Sequence, residues 1–142
     1  MGRICAAAGT LFVDRESSVS RGQAVKLIEK RLLAGRNVSL YPEGGIKGMR
    51  IHDSFRHGVF DISLRTGVSI VPVFIHYECQ EDFFWGEQQN LLQKLLQIMR
   101  TRNKRANYYL FDPFSPGDFV DKQSYNNAVH SQYLVWQERY LT

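Results

Sequence analysis

The residues best placed to do chemistry lie in Tyr41 to Gly48, "YPEGGIKG", where the carboxylate of Glu43 precedes two glycines, Gly44 and Gly45, and the cation Lys47. Glycines let backbone N–H groups approach a ligand closely. Arg15, which follows the apolar run "LFV" and Asp14, offers a planar fork of donors suited to phosphate oxygens. Arg15, Glu43, Gly44, Gly45 and Lys47 together read as a place for an anionic ligand. "EGGIKG" lacks the G-x-x-x-x-G-K-[ST] spacing of a nucleotide-binding loop, and the plain alternative is a structural turn.

The other reactive side chains form weaker constellations. His57 and Asp61 stand at i and i+4, a spacing that reads as a solvated pair on a helix surface. His76 precedes Glu81 by five positions, and Cys79 lies near His76; a thiol nucleophile would need a third group to orient its base. His52 and His130 carry no motif. Cys5 and Cys79 are far apart and form no C-x-x-C pair, so neither a disulfide framework nor a zinc site is expected, and a reducing compartment fits.

Strands and helices must alternate to position these groups. "GTLFVD" (Gly9 to Asp14) reads as a short strand. "SRGQ" (Ser20 to Gln23) reads as a capping box with Ser20 as N-cap, opening a helix in which Val25, Ile28 and Leu32 recur at helical spacing until Gly35. "NVSLY" (Asn37 to Tyr41) reads as the next strand and Pro42 to Asp53 as loop; Phe55, Val59 and Ile62 mark a second helix closed by Gly67. "VSIVPVFIHY" (Val68 to Tyr77) reads as a third strand despite Pro72. Leu91, Leu92, Leu95, Leu96 and Met99 form an apolar helical face ahead of Arg100, Arg102, Lys104 and Arg105. "ANYYLFDPF" reads as a fourth strand and Tyr125 to Tyr140 as a terminal helix. This order predicts a single α/β domain over residues 1–142, with a mostly parallel central sheet and helices on both faces. Ligands then sit at the carboxyl ends of the strands, where neighbouring strands would bring Arg15 and Glu43 to one crevice.

At 142 residues and 44% hydrophobic content, the chain has the size of one domain with a real core. No segment has the apolar length of a membrane span, and the first residues lack the layout of a secretory signal. The net charge of +4 is uneven: residues 1 to 65 hold 11 Lys/Arg against 6 Asp/Glu, or +5, and residues 66 to 142 hold 7 against 8, or −1. The basic half contains the glycine loop and would draw an anionic ligand or surface.

"LFVDR", "YPEGG" and "VPVFI", in this order and with these gaps, resemble three of the four motif blocks of the glycerolipid acyltransferase family, which includes the 1-acyl-glycerol-3-phosphate acyltransferases. "FRHGVFDISLRTGVSIVPV" is similar to the family's helix leading into its last block. The resemblance is close from Gly2 to about Ile75 and loose beyond. It implies transfer of a fatty acyl group from a thioester of coenzyme A or acyl carrier protein to a glycerol hydroxyl, with 1-acyl-glycerol-3-phosphate or a related lysophospholipid as acceptor. No cofactor is implied, and no nucleic acid. It further implies peripheral work at the cytoplasmic face of a membrane. Arg15 would hold the acceptor's phosphate, and Glu43 with Gly44 would shape the glycerol site.

The family's general base is the histidine of a His-x-x-x-x-Asp block, and no histidine of this chain has an aspartate at that spacing. The start, "MGRICAAAGTLFVDR", resembles the family's interior, so the expectation is an acyltransferase fold lacking its first strand and helix and the amino-terminal histidine block. Ile46 stands where many relatives carry arginine; Lys47 or Arg50 are the candidates to supply that charge. The alternative is a non-catalytic remnant that binds lipid or a membrane surface through the phosphate crevice and the basic amphipathic stretch Glu87 to Arg105.

Overall fold

The computed structural model describes residues 9–11, 13, 17–45, 48–84 and 90–141, in two units, Met1–Leu40 and Tyr41–Thr142. In the first unit, helix α1 spans Ser18–Leu33. Its N-cap is Ser17, whose hydroxyl accepts from the Ser20 amide at 3.2 Å. The expected cap, Ser20, therefore lies inside the helix: an earlier serine at the same capping offset meets the free amides one turn sooner. At the other end Gly35 takes φ +74°, and the amides of Gly35 and Arg36 donate back to the carbonyls of Leu32 and Arg31, a left-handed stop that glycine favours. Of the first expected strand, Gly9 to Asp14, residues 12 and 14 lie outside the described residues. The second, Asn37 to Tyr41, is mostly exposed coil, with no ladder partner among the described residues.

In the second unit, helix α2 spans Gly58–Thr66 and ends at Gly67, as its periodicity predicts, with φ +71° and an amide that donates to Ser63 O at 2.9 Å. Strands β1 (Val73–Tyr77) and β2 (Ala106–Leu110) pair antiparallel, Val73 opposite Leu110 and Tyr77 opposite Ala106. Between them run α3 (Gln80–Phe83) and α4 (Leu91–Arg100). A 3₁₀ turn over Pro116–Asp118 leads to the terminal helix α5, Lys122–Tyr140. Asp121 caps α5 in a box with Ser124, so the helix begins three residues before its expected start.

The fold is a mixed α/β arrangement, and its described sheet is this two-stranded antiparallel pair rather than the expected parallel sheet covered on both faces. Two local causes are visible. The excursion through α3 and α4 leaves and returns at one end of the ladder. There the Glu78 amide donates to Arg105 O at 3.2 Å, and its carboxylate accepts from Asn103 Nδ2 (2.8 Å), Arg105 Nη1 (3.2 Å) and Asn107 Nδ2 (3.3 Å). A chain that returns to the end it left must come back antiparallel. At Val73, moreover, the N–H and C=O both bond the Tyr133 hydroxyl, at 3.1 Å each. A side chain from α5 thus takes the place of a further strand at that point. Pro72, without an N–H, shortens the expected strand of Val68 to Tyr77, while Ile70 and Phe114 form an isolated bridge beyond it.

The core of this unit joins Phe55 and Phe60 to Tyr125 and Val129 on α5, with Ile51, Ile70, Phe114 and Tyr133 packed around them. Tyr125 is fully buried, and its hydroxyl donates to Phe114 O at 2.8 Å. Burial with a satisfied hydroxyl lets an aromatic ring contribute its whole apolar area, and desolvation pushes the Tyr125 phenol above its ordinary range.

Candidate functional site

Pro42 directs the chain into a turn, and the Gly44 amide donates to Tyr41 O at 3.1 Å. Proline at the second position of such a turn is preset for it. Gly44 has φ +71°, a conformation that costs little only without a Cβ. A Cβ at Gly44 would also stand 3.2 Å from Cγ and 3.3 Å from Nε of Arg56. The arginine therefore lies directly across the glycine. It is brought there by its own backbone, since the Arg56 amide donates to Pro42 O at 2.7 Å.

Glu43 makes the second tie. Its Oε1 accepts from the His52 amide at 3.1 Å, so the motif carboxylate anchors the segment that runs from the glycines to α2. Helix α5 fixes that segment from the other side. Gln137 Oε1 accepts from the Ile51 amide at 2.5 Å, His130 Nε2 donates to His52 O at 2.8 Å, and Asn126 Nδ2 donates to Phe55 O at 3.0 Å. The second N–H of Asn126 meets His57 Nδ1 at 3.1 Å, which places the proton of a neutral His57 ring on Nε2. Asn126, His130, Tyr133 and Gln137 stand at i, i+4, i+7 and i+11, one face of a helix. Asn126 and Gln137 are buried, so their bonds are costly to lose.

The expected residues separate as follows. Glu43, Gly44 and Gly45 occupy the turn, each half-buried. Arg15 and Lys47 lie outside the described residues. Arg50 lines a recess of about 520 Å³ with Met49, Ile51, His52 and Asp53. Sequence reasoning missed Arg56, the cation over Gly44, and the polar face of α5; the one available signal was that face's helical spacing. His57 and Asp61 do not join as a side-chain pair: His57 bonds Asn126, and Asp61 meets Arg65 at 3.1 Å. His76 faces Asn107 across the ladder, and Cys79 is a free thiol. Among the described residues no histidine is oriented by a carboxylate. The turn gathers a carboxylate, a glycine and a guanidinium at one place.

No solved structure matches the chain. A curated relative, the lyso-ornithine lipid O-acyltransferase of Pseudomonas aeruginosa, is 29% identical over 127 residues, covering 85% of this chain and 48% of that protein. The chain thus spans about half the length of the relative it matches. The Acyltransferase family matches residues 1–76, a stretch that contains "LFVDR", "YPEGG" and "VPVFI". On that match, the chain belongs to the Acyltransferase family.

Proposed function

We propose that the protein serves O-acyl transfer to a lysolipid, with a fatty acyl thioester of coenzyme A or acyl carrier protein as donor and 1-acyl-glycerol-3-phosphate or a related lysolipid as acceptor, at the cytoplasmic face of a membrane. The acceptor hydroxyl attacks the thioester carbonyl, the ester C–O bond forms as the C–S bond breaks, and the hydroxyl proton passes through the base to the leaving thiolate. The base belongs to a His-x-x-x-x-Asp block that is not among these 142 residues. Arg15 holds the acceptor's anionic group, Glu43, Gly44 and Gly45 shape its glycerol portion, and Lys47 with Arg56 supplies positive charge beside the turn. The observation that carries this reading is the family match over residues 1–76, which spans all three quoted blocks.

The Pseudomonas relative, a lyso-ornithine lipid O-acyltransferase, favours a second acceptor, lyso-ornithine lipid, whose head is an amino acid instead of a phosphate. Steady-state kinetics of an active form carrying a histidine block, with each lysolipid and each donor varied separately, distinguishes the two. If a phosphate is gripped by a bidentate guanidinium, Arg15→Lys lowers kcat/KM for 1-acyl-glycerol-3-phosphate by about 10- to 150-fold. The donor's KM changes little. A loss confined to the donor, or none, removes Arg15 from the acceptor site. Preference for lyso-ornithine lipid selects the second acceptor.

A further inference from the structure

Helix α4 is turned inside out. Its apolar residues Leu92, Leu95, Leu96 and Met99 stand at i, i+3, i+4 and i+7, a single face, and all are exposed, Leu92 by 68% and Met99 by 70%. The opposite face carries Lys94, Gln97, Ile98 and Thr101, and there Lys94 is only 1% exposed. The Lys94 ammonium donates to Phe84 O and to Gln97 Oε1, and the Thr101 hydroxyl donates to Gln97 O at 3.0 Å. The bond to Phe84 O, which lies outside the helix, fixes the rotation of the helix about its axis. A capping box, Asn90 with Gln93, fixes its start. A lysine inside and leucines outside reverses the usual burial order, and a contiguous apolar face held toward solvent marks an interaction surface.

Charge identifies the occupant. From Asn90 to Phe111 every formal charge is positive: Lys94, Arg100, Arg102, Lys104 and Arg105. Arg105 pairs with Glu78, and Lys104 donates to Met99 O. Arg100 and Arg102 are both exposed and, with Leu96, line an open groove of about 700 Å³ between α3 and α4, in which Asp82 is the acid. An apolar helical face bordered by cations is the arrangement that lies in the plane of an anionic lipid interface, leucines toward the acyl chains and guanidinium groups among the phosphates. We propose that α4 and the cations following it dock the protein on an anionic lipid surface. The inference rests on the membrane location proposed above and needs nothing of the acyl chemistry, which vesicle binding does not report.

Flotation of the full chain with phosphatidylcholine vesicles, with and without phosphatidylglycerol, is the test. The chain partitions onto the anionic vesicles, and salt weakens the binding. Arg100→Gln with Arg102→Gln weakens it by about fivefold per charge removed. Leu92→Gln with Met99→Gln, both at exposed positions, weakens it by about tenfold or more. Hydrogen exchange on the unaltered chain guards against a variant that fails to fold: amides of α4 gain protection on anionic vesicles. Failure of the chain to bind, equal binding to neutral vesicles, wild-type binding by the Leu92/Met99 variant, or unchanged exchange in α4 each overturns the proposal. So does a chain that dimerises through Leu92 and Met99 without binding vesicles, which would make this face a contact between copies.

Discussion

Gly44 is where backbone and site constrain each other most tightly. Its left-handed conformation and the arginine lying across it both depend on the missing side chain. Gly44→Ala should lower the unfolding free energy by about 1 to 2 kcal/mol, the cost of a left-handed L-residue. The Arg56 side chain is flexible and can yield, so the steric part is small. Thermal or urea denaturation checks this, and an unchanged midpoint would show that the turn relaxes to another conformation. Glu43 predicts a graded pair: Glu43→Gln keeps an oxygen for the His52 amide and Glu43→Ala does not, so the alanine variant should be less stable by about 1 kcal/mol. The turn through Glu43 and Gly44 was legible because a proline followed by paired glycines punctuates a chain in this way. Arg56 was not legible, since it reaches Gly44 through a backbone bond to Pro42 that no spacing rule records.

At the scale of elements, α5 fixes the segment after the glycine turn through Asn126, His130 and Gln137. Removing a buried donor leaves its acceptor unsatisfied, at about 1 to 3 kcal/mol. Asn126→Ala, which strips partners from both Phe55 O and His57 Nδ1, should cost more than His130→Ala, which strips one. Urea denaturation ranks the two, and equal losses would show that the Asn126 bonds are replaced by water. The other element junction is Glu78, whose hydrogen bonds, that from Asn103 foremost, hold its carboxyl below the ordinary 4.5. A carboxyl depressed in the folded state contributes stability that is whole above its ordinary value and is lost as pH falls through the folded one. Glu78→Gln should therefore flatten the fall in urea midpoint below pH 4.5; an unchanged slope would assign that fall to other carboxylates. Helix existence was legible from period and caps, α2 with its glycine stop most clearly. The sense of the sheet was not, because it follows from Glu78 meeting Asn103 and Asn107, and from a tyrosine hydroxyl occupying the edge at Val73.

For the molecule as a whole, the family was legible from three ordered blocks, while the location of its residues was only partly so: the described residues place Glu43, Gly44 and Gly45, and Arg15 and Lys47 fall outside them. No helix of the described residues is long and apolar enough to cross a membrane. The central claim is that these residues supply the acceptor side of an acyl transfer whose base lies in a block they do not contain. Its most direct test is the release of thiol from labelled acyl-coenzyme A and acyl carrier protein with 1-acyl-glycerol-3-phosphate or lyso-ornithine lipid present. The measurement is made for the 142-residue chain and for a longer form with a family His-x-x-x-x-Asp block ahead of Met1. General base catalysis is worth about 10²- to 10⁴-fold, so the account predicts background rates from the chain alone, and ester product from the longer form that Glu43→Ala and Arg15→Lys diminish. Robust turnover by the chain alone, or none by a folded longer form with either acceptor, would contradict it.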